Sequence, residues 1–164
     1  MAEGSIIIRP VEQDDTHDLR ENCFSANTLE QVQGRIAENQ KAMAEGTEVH
    51  LVAEVDGVVV GTGGLVRRSF VMHAHRAELV SLVVHPHYQR RGIARRIVER
   101  IKEHAASMGV EILEVGCRGG TPAEKVYPRL GFVEWGRLPG GIVEPWGERK
   151  MYDEVQFYMP ISNR

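Results

Sequence analysis

The chain has 164 residues, 42% of them hydrophobic and 26% charged, with a formal net charge of −3 at pH 7. That length suits one domain, residues 1–164, and the composition is that of an ordinary soluble globular protein. The slightly acidic total gives no global basic field to recruit nucleic acid, and no apolar run approaches the roughly 20 residues of a membrane helix. Cys23 and Cys117 lie far apart without metal-ligand spacing, and read as reduced thiols of a cytoplasmic protein. The segment from Met1 to Ser5 lacks basic residues and a long apolar stretch, so it predicts no signal peptide.

Ile6 to Pro10 predicts a short strand ended by proline. Asp14 to Ser25 predicts a polar helix with Leu19, Cys23 and Phe24 facing inward. Asn27 or Thr28 caps a second helix, where Leu29, Val32, Ile36 and Met43 recur at helical spacing. Val49 to Val55 alternates and meets Asp56-Gly57, a hairpin turn, with Val58 to Val66 as its partner strand. Gly61, Gly63 and Gly64 make that partner bendable or bulged. Ala77 to Val84 has few polar residues and reads as a central strand. The helix that starts near Gly92 buries Ile93, Ile97, Val98, Ile101 and Ala105, and Gly109 ends it. Glu111 to Val115 is the next strand. Thr121 caps a short helix with Pro122 at its first position. Leu130-Gly131-Phe132 opens a strand to Leu138, Pro139 to Arg149 is a loop, and Lys150 to Met159 is the last strand. This order mixes antiparallel hairpins with helical crossovers, so the class is α+β, or mixed α/β, around one sheet.

The densest signal is Tyr88-Gln89-Arg90-Arg91-Gly92-Ile93-Ala94, between the apolar run Leu79 to Val84 and the amphipathic stretch from Arg95 to Met108. Strand, glycine turn and helix follow one another with no spare residues. Such a turn leaves backbone N–H groups converging on one spot, and the helix adds the partial positive charge of its N-terminus. Together they form a phosphate site. Arg90, Arg91 and Arg95 stand in or beside the turn, whereas Arg96, Arg100 and Lys102 read as a solvated helix face.

This stretch resembles the acetyl-CoA motif of the GCN5-related N-acetyltransferase (GNAT) superfamily, Gln/Arg-x-x-Gly-x-Gly/Ala, in Gln89-Arg90-Arg91-Gly92-Ile93-Ala94. Leu82-Val83-Val84-His85-Pro86 resembles the family's strand-then-proline entry, and Ala123-x-x-x-Tyr127-x-x-x-Gly131-Phe132 its second signature. The element order is similar across almost the whole chain. The resemblance implies a central mixed, mostly antiparallel sheet of about seven strands flanked by about four helices. It also implies an acetyl-CoA-dependent N-acetyltransferase. The N–H groups of Gln89 to Ala94 would hold the pyrophosphate of acetyl-CoA, with Arg90, Arg91 and Arg95 at the rim. The backbone of Leu82, Val83 and Val84 would pair with the pantetheine arm, with the Val84 N–H as oxyanion donor. Glu78 would be the general base unless an ordered water serves instead, and Tyr127 the general acid for the departing thiolate. Against those roles stand a Glu78–Arg76 salt bridge and a Tyr127 that only packs the core. Many members carry Asn where this chain has Gly120, so one cofactor contact is missing or falls to Thr121.

The resemblance assigns the acceptor site to the loops Cys23 to Leu29 and Leu138 to Arg149, with mixed candidates such as Asn27, Glu30, Arg137, Glu144, Trp146 and Glu148. Their carboxylates suit a small amine: an amino acid derivative, a polyamine, or an antibiotic or toxin. The alternatives are acetylation of a protein N-terminus or lysine, and a non-catalytic acyl-CoA sensor. No metal is expected: the pairs His73/His75 and His85/His87 lack a third ligand. No nucleic acid or membrane partner is expected, and the exposed sheet edges are compatible with a homodimer.

Overall fold

The computed structural model describes residues 4–161. Its main elements are β1 (Ile6–Pro10), α1 (Thr16–Asn22), α2 (Leu29–Ala44), β2 (Glu48–Val55), β3 (Val58–Arg67), β4 (Arg76–Val84), α3 (Ile93–Ser107), β5 (Ile112–Arg118), α4 (Ala123–Arg129), β6 (Val133–Val143) and β7 (Met151–Pro160). The strands form one sheet in the order β1-β2-β3-β4-β5-β7-β6. All neighbours are antiparallel except β4 and β5, which the α3 crossover makes parallel. The expected class, element order and central place of β4 all hold.

Each face of the sheet carries its own core. On one side α3 buries Ile93, Ile97, Val98, Ile101 and Ala105. Each of the four larger side chains contributes about 1.5–3 kcal/mol on leaving water, and Ala105 less. On the other side α1 and α2 bury Leu19, Val32 and Ile36 against Val52 and Val59. Helix α2 starts with a reciprocal cap: Gln31 N–H donates to Thr28 Oγ1 at 3.1 Å, and Thr28 N–H donates to Gln31 Oε1 at 2.9 Å.

Four local expectations are corrected. Helix α1 stops at Asn22, whose amide donates to the Val59 carbonyl at 2.7 Å and ties the helix end to β3. Leu29 faces outward and is 49% exposed, because it stands at the first turn rather than on the buried stripe. Thr121 does not cap α4: its hydroxyl donates to the Arg118 carbonyl, and Pro122 is the capping residue. Strand β6 runs through Pro139-Gly140-Gly141 to Val143. It is an edge strand, so a missing proline N–H is tolerated, and a register shift between Leu138 and Ile142 absorbs the extra residues.

Strand β4 positions everything that follows. Thr62 pairs with Val83 and Gly64 with Val80, so Ser81 and Leu82 together face Gly63. Ser81 sits at this bulge with φ +54°, a left-handed conformation unusual for a residue with a side chain. The bulge reverses the alternation, so Ala77 and Leu79 before it and Leu82 and Val84 after it all pack on the α3 side. β4 pairs with β5 only from Arg76–Ile112 to Glu78–Glu114. Beyond that rung β5 continues along β7 to Arg118, while the β5-facing edge of Leu79–Val84 has no strand beside it among the described residues. At the last rung Glu114 is 3% exposed and pairs with Arg76 and Arg68.

Candidate active site

The turn after β4 is built for an anion. The backbone N–H groups of Arg90, Arg91, Gly92, Ile93, Ala94 and Arg95 have no hydrogen-bond partner among the described residues; the first helical bond is Arg96 N–H to the Gly92 carbonyl. Gly92 is the N-cap of α3 at φ +76°, and Arg90 also has a positive φ, of +64°. A β-carbon at position 92 would touch nothing within 4 Å, so glycine is there for the backbone angle and an open approach. The first turn of α3 carries no acidic residue. Gln89 Nε2 donates to the Val84 carbonyl at 3.0 Å and fastens the turn to the strand.

This turn, the free edge of β4 and helix α4 enclose a cleft of about 550 Å³. Among the residues expected to hold a cofactor, Leu82, Val84, Gln89, Arg90, Gly92, Ile93, Ala94 and Arg95 line it. Two do not. Val83 falls on the opposite face because of the alternation, leaving only its backbone for a ligand. The Arg91 guanidinium lies 5.1 Å from the ring centroid of Tyr88, which does line the cleft. Arg95 Nη2 donates to the Arg129 carbonyl at 2.7 Å and ties α3 to α4.

Helix α4 brings residues that the sequence reading passed over. Lys125 and Arg129 line the cleft together with Val126 and Leu130. The four-residue spacing of the two cations was the available signal, since it places them on one helix face. Gly120 precedes this helix at φ +78°, and its N–H donates to Glu124 Oε2 at 2.7 Å. A left-handed turn closed by Glu124 therefore stands where the resemblance led to an expected asparagine contact. Thr121 is committed to Arg118 and does not line the cleft.

Tyr127 lines the cleft with its ring packed on Phe132 and Phe157, at centroid distances of 5.9 and 5.8 Å. No described residue hydrogen-bonds its hydroxyl. Burial, with the nearby Cys117, raises the phenol above its ordinary value, so it stays protonated and able to donate at neutral pH. Burial likewise raises the Cys117 thiol, which leaves it a poor nucleophile.

Glu78 lies outside the cleft. On β4 it alternates with Ala77 and Leu79, which face α3, so its side chain belongs to the opposite face of the sheet. The ion pair with Arg76, the alternative to a catalytic role, does not form. Arg76 Nε bonds Glu114 Oε2 at 2.9 Å instead, leaving the Glu78 carboxylate with no ion pair among the described residues. Burial disfavours the charged form of Glu114, but Arg76 and Arg68 outweigh it and hold the carboxyl below its usual range.

On the Glu78 side, Arg35 lies 4.3 Å above the Phe24 ring, and Cys23 in the same loop has its thiol pushed up to about 12 by burial. In the loop between β6 and β7, Glu144 is taken by Arg118 at 2.6 Å, whereas Trp146 is 67% exposed. Arg137 is bound to Glu124 and Glu134. Among the described residues no group of three His, Cys, Asp or Glu side chains is arranged to hold a metal. No described helix is long and apolar enough to cross a membrane.

Comparison with known proteins fits this geometry. A sequence model of the Acetyltransferase (GNAT) family matches residues 13–132. An L-amino acid N-acyltransferase of Escherichia coli K12 is 32% identical over 91 residues, 54% of this chain and 52% of that protein. The chain thus spans about half the length of that curated relative. A Salmonella typhimurium protein solved with its cofactor acetyl-CoA superposes with a TM-score of 0.80 at 22% identity, over 97% of this chain and 95% of that one. A ribosomal-protein-alanine N-acetyltransferase from Brucella melitensis superposes with a TM-score of 0.79 at 24% identity, over 94% and 99%.

Proposed function

The chain belongs to the acetyltransferase (GNAT) family, and from that premise we propose that it transfers an acetyl group from acetyl-CoA to the primary amine of a small molecule. The single observation that carries the reading is convergence. A row of unpartnered N–H groups and a free strand edge meet in one cleft, and an anionic ligand with a peptide-like arm needs both. In this reading residues 1–164 act as one domain.

Coenzyme A carries phosphates at one end and a thioester at the other. The N–H groups of the turn and the α3 N-terminus hold the pyrophosphate, with Arg90, Arg95, Lys125 and Arg129 as surrounding cations. The β4 edge at Leu82–Val84 pairs with the pantetheine amides as a strand would. The thioester then lies at the gap between β4 and β5, within reach of an amine from the Glu78 side. The amine nitrogen attacks the acetyl carbonyl directly in a ternary complex, and the carbon–sulfur bond breaks. Tyr127 donates a proton to the departing thiolate, while Glu78 or a bound water takes the proton that the amine sheds. The Val84 N–H stabilises the oxyanion.

Among small amines, amino acid derivatives are favoured. The Glu78 carboxylate and the Arg35 guanidinium stand on the same side of the sheet, an arrangement that suits an ammonium and a carboxylate on one molecule. The named activity of the Escherichia coli relative points the same way. The test has two parts. Calorimetry with acetyl-CoA is expected to show saturable binding, and its absence removes the reading. A turnover screen over the common L-amino acids, polyamines, aminoglycosides and peptides is expected to give its highest rates with the amino acids; peptides alone would move the chain to protein acetylation.

A further inference from the structure

A second, much smaller cavity of about 20 Å³ lies behind the β4 bulge, on the side of the sheet that carries α1 and α2. Phe24, Arg35, Asn39, His50, Thr62 and Ser81 are among its walls. Ser81 is the bulge residue, close to where the β4 edge becomes free. Arg35 Nη2 donates to Ser81 Oγ at 2.6 Å, so the hydroxyl keeps its own proton for another partner.

His50 reaches this place because of a glycine. It faces Gly64 across the β2–β3 pair, and a β-carbon on Gly64 would stand 2.6 Å from His50 Nδ1. The imidazole therefore lies over position 64, and His50 shares the cavity wall with Ser81 of β4. Its other nitrogen, Nε2, is 3.1 Å from Glu48 Oε1. Glu48 and His50 are two residues apart on one strand, hence on one face. A carboxylate at Nε2 fixes the ring proton there and leaves Nδ1 as the acceptor.

We propose that the Glu48–His50 pair is the final acceptor of the proton shed by the amine, reached through one water held in this cavity beside Ser81. The proposal rests on the acetyltransferase reading above and specifies its bound-water route. A cavity of roughly 10–15 Å³ holds one water when two to four polar partners face it. The volume here is sufficient, and Ser81, Arg35, Asn39 and His50 supply the partners. As the new N–C bond forms, the amine gives a proton to the water and the water gives one to His50 Nδ1. The resulting imidazolium is stabilised by Glu48 and later loses its proton to solvent, so the water is restored and nothing is oxidised or reduced.

The surroundings keep the ring neutral at rest. Burial lowers the imidazole below its ordinary value, Glu48 partly opposes this, and the Arg35 charge adds to it. Apart from Arg35 on α2, the groups that wall the cavity are uncharged: Val11 after β1, Leu19 and Phe24 by α1, Asn39 on α2, Thr62 on β3 and Ser81 on β4, with Gly64 and Val80 beside the ring. Glu78 is the next residue on that face of β4.

The experiment is a pH–rate profile with acetyl-CoA and the fastest acceptor among the twenty common L-amino acids and spermidine. His50→Gln is expected to lower kcat about 100-fold near pH 7 and to erase the acid limb, with the acetyl-CoA Kd unchanged. Glu48→Gln is expected to move the limb to lower pH, because the imidazolium loses its counter-charge. Added imidazole is expected to restore part of the His50→Ala rate. A His50→Gln enzyme within about threefold of the native kcat, or one slowed with its acid limb unmoved, overturns the proposal. NMR titration of the ring needs no turnover: His50 is expected to titrate below 6.5, and lower still in Glu48→Gln. A ring that titrates normally, or ignores Glu48→Gln, also overturns it. A native protein that binds acetyl-CoA yet acetylates none of these amines defeats the parent reading and this proposal with it, whereas a native enzyme that turns over while His50→Gln keeps its rate overturns the pair alone.

Discussion

The proposed donor side and the proposed acceptor side of this molecule are made of different material. The donor side is backbone: the N–H groups of Arg90 to Arg95 and the bare edge of Leu79–Val84, contributed by consecutive residues. The acceptor side is side chains drawn from distant positions, with Arg35 meeting Ser81 across 46 residues and Arg118 meeting Glu144 across 26. A backbone site depends on dihedral angles, which short motifs encode. A side-chain site depends on which distant residues the fold brings together.

The sharpest way to break this contrast is to attack the backbone and a side chain of the donor side separately. Gly92→Glu places an anion and a left-handed strain at the turn, and is expected to raise the acetyl-CoA Kd by about 1,000-fold or more, roughly 4 kcal/mol, with unchanged circular dichroism. Arg90→Ala is expected to cost about tenfold at most, since a rim cation is screened and replaceable. Equal losses by calorimetry would show that the donor side relies on side chains after all.

Tyr127 lines the cleft, and in the proposed reaction it serves the departing thiolate. Tyr127→Phe keeps the packing on Phe132 and Phe157, and is expected to lower kcat about 100-fold while the acetyl-CoA Kd stays within about twofold. Steady-state rates compared with calorimetry check this.

The seam is tested through Glu114. Replacing it by Gln strands Arg76 and Arg68 in a half-buried place. Their partial exposure brings the expected loss down to about 2 kcal/mol, seen as a lower urea midpoint. The carboxyl is held below its usual 4.5, so its stabilisation is complete above that pH and fades as pH falls through the depressed value. The native protein is therefore expected to lose stability below about pH 4.5, and the Gln variant less steeply.

The smallest effect belongs to the acceptor side. Thr28→Ala removes the α2 cap beside the loop carrying Phe24, and is expected to cost about 1 kcal/mol. Its KM for the amine is expected to rise while acetyl-CoA affinity holds. A matched change in both would mean that the two sides are not separable.

The same contrast explains what the sequence made legible. Ile93, Ile97, Val98, Ile101 and Ala105 repeat at helical spacing, and all five are buried. Gln89 to Ala94 are adjacent, so their turn is visible as a motif. Ser81 gives no local sign that it adopts a left-handed angle; the partial clue was Gly63 and Gly64 on the strand across from it. Arg76 sits two residues from Glu78, yet bonds Glu114, 38 residues further on, because parallel pairing puts that carboxylate alongside. Pro139 reads as a strand breaker, and only the edge position of β6 makes it harmless.

The short β4–β5 pairing has a mechanical consequence. Three rungs join the β1–β4 half of the sheet to the β5–β7 half, and beyond them the fabric is unstitched. A pantetheine arm laid along Leu82–Val84 would act as the missing thread. Occupancy would then be felt as rigidity: slower amide exchange along that edge, and a melting point that climbs with acetyl-CoA concentration as mass action requires.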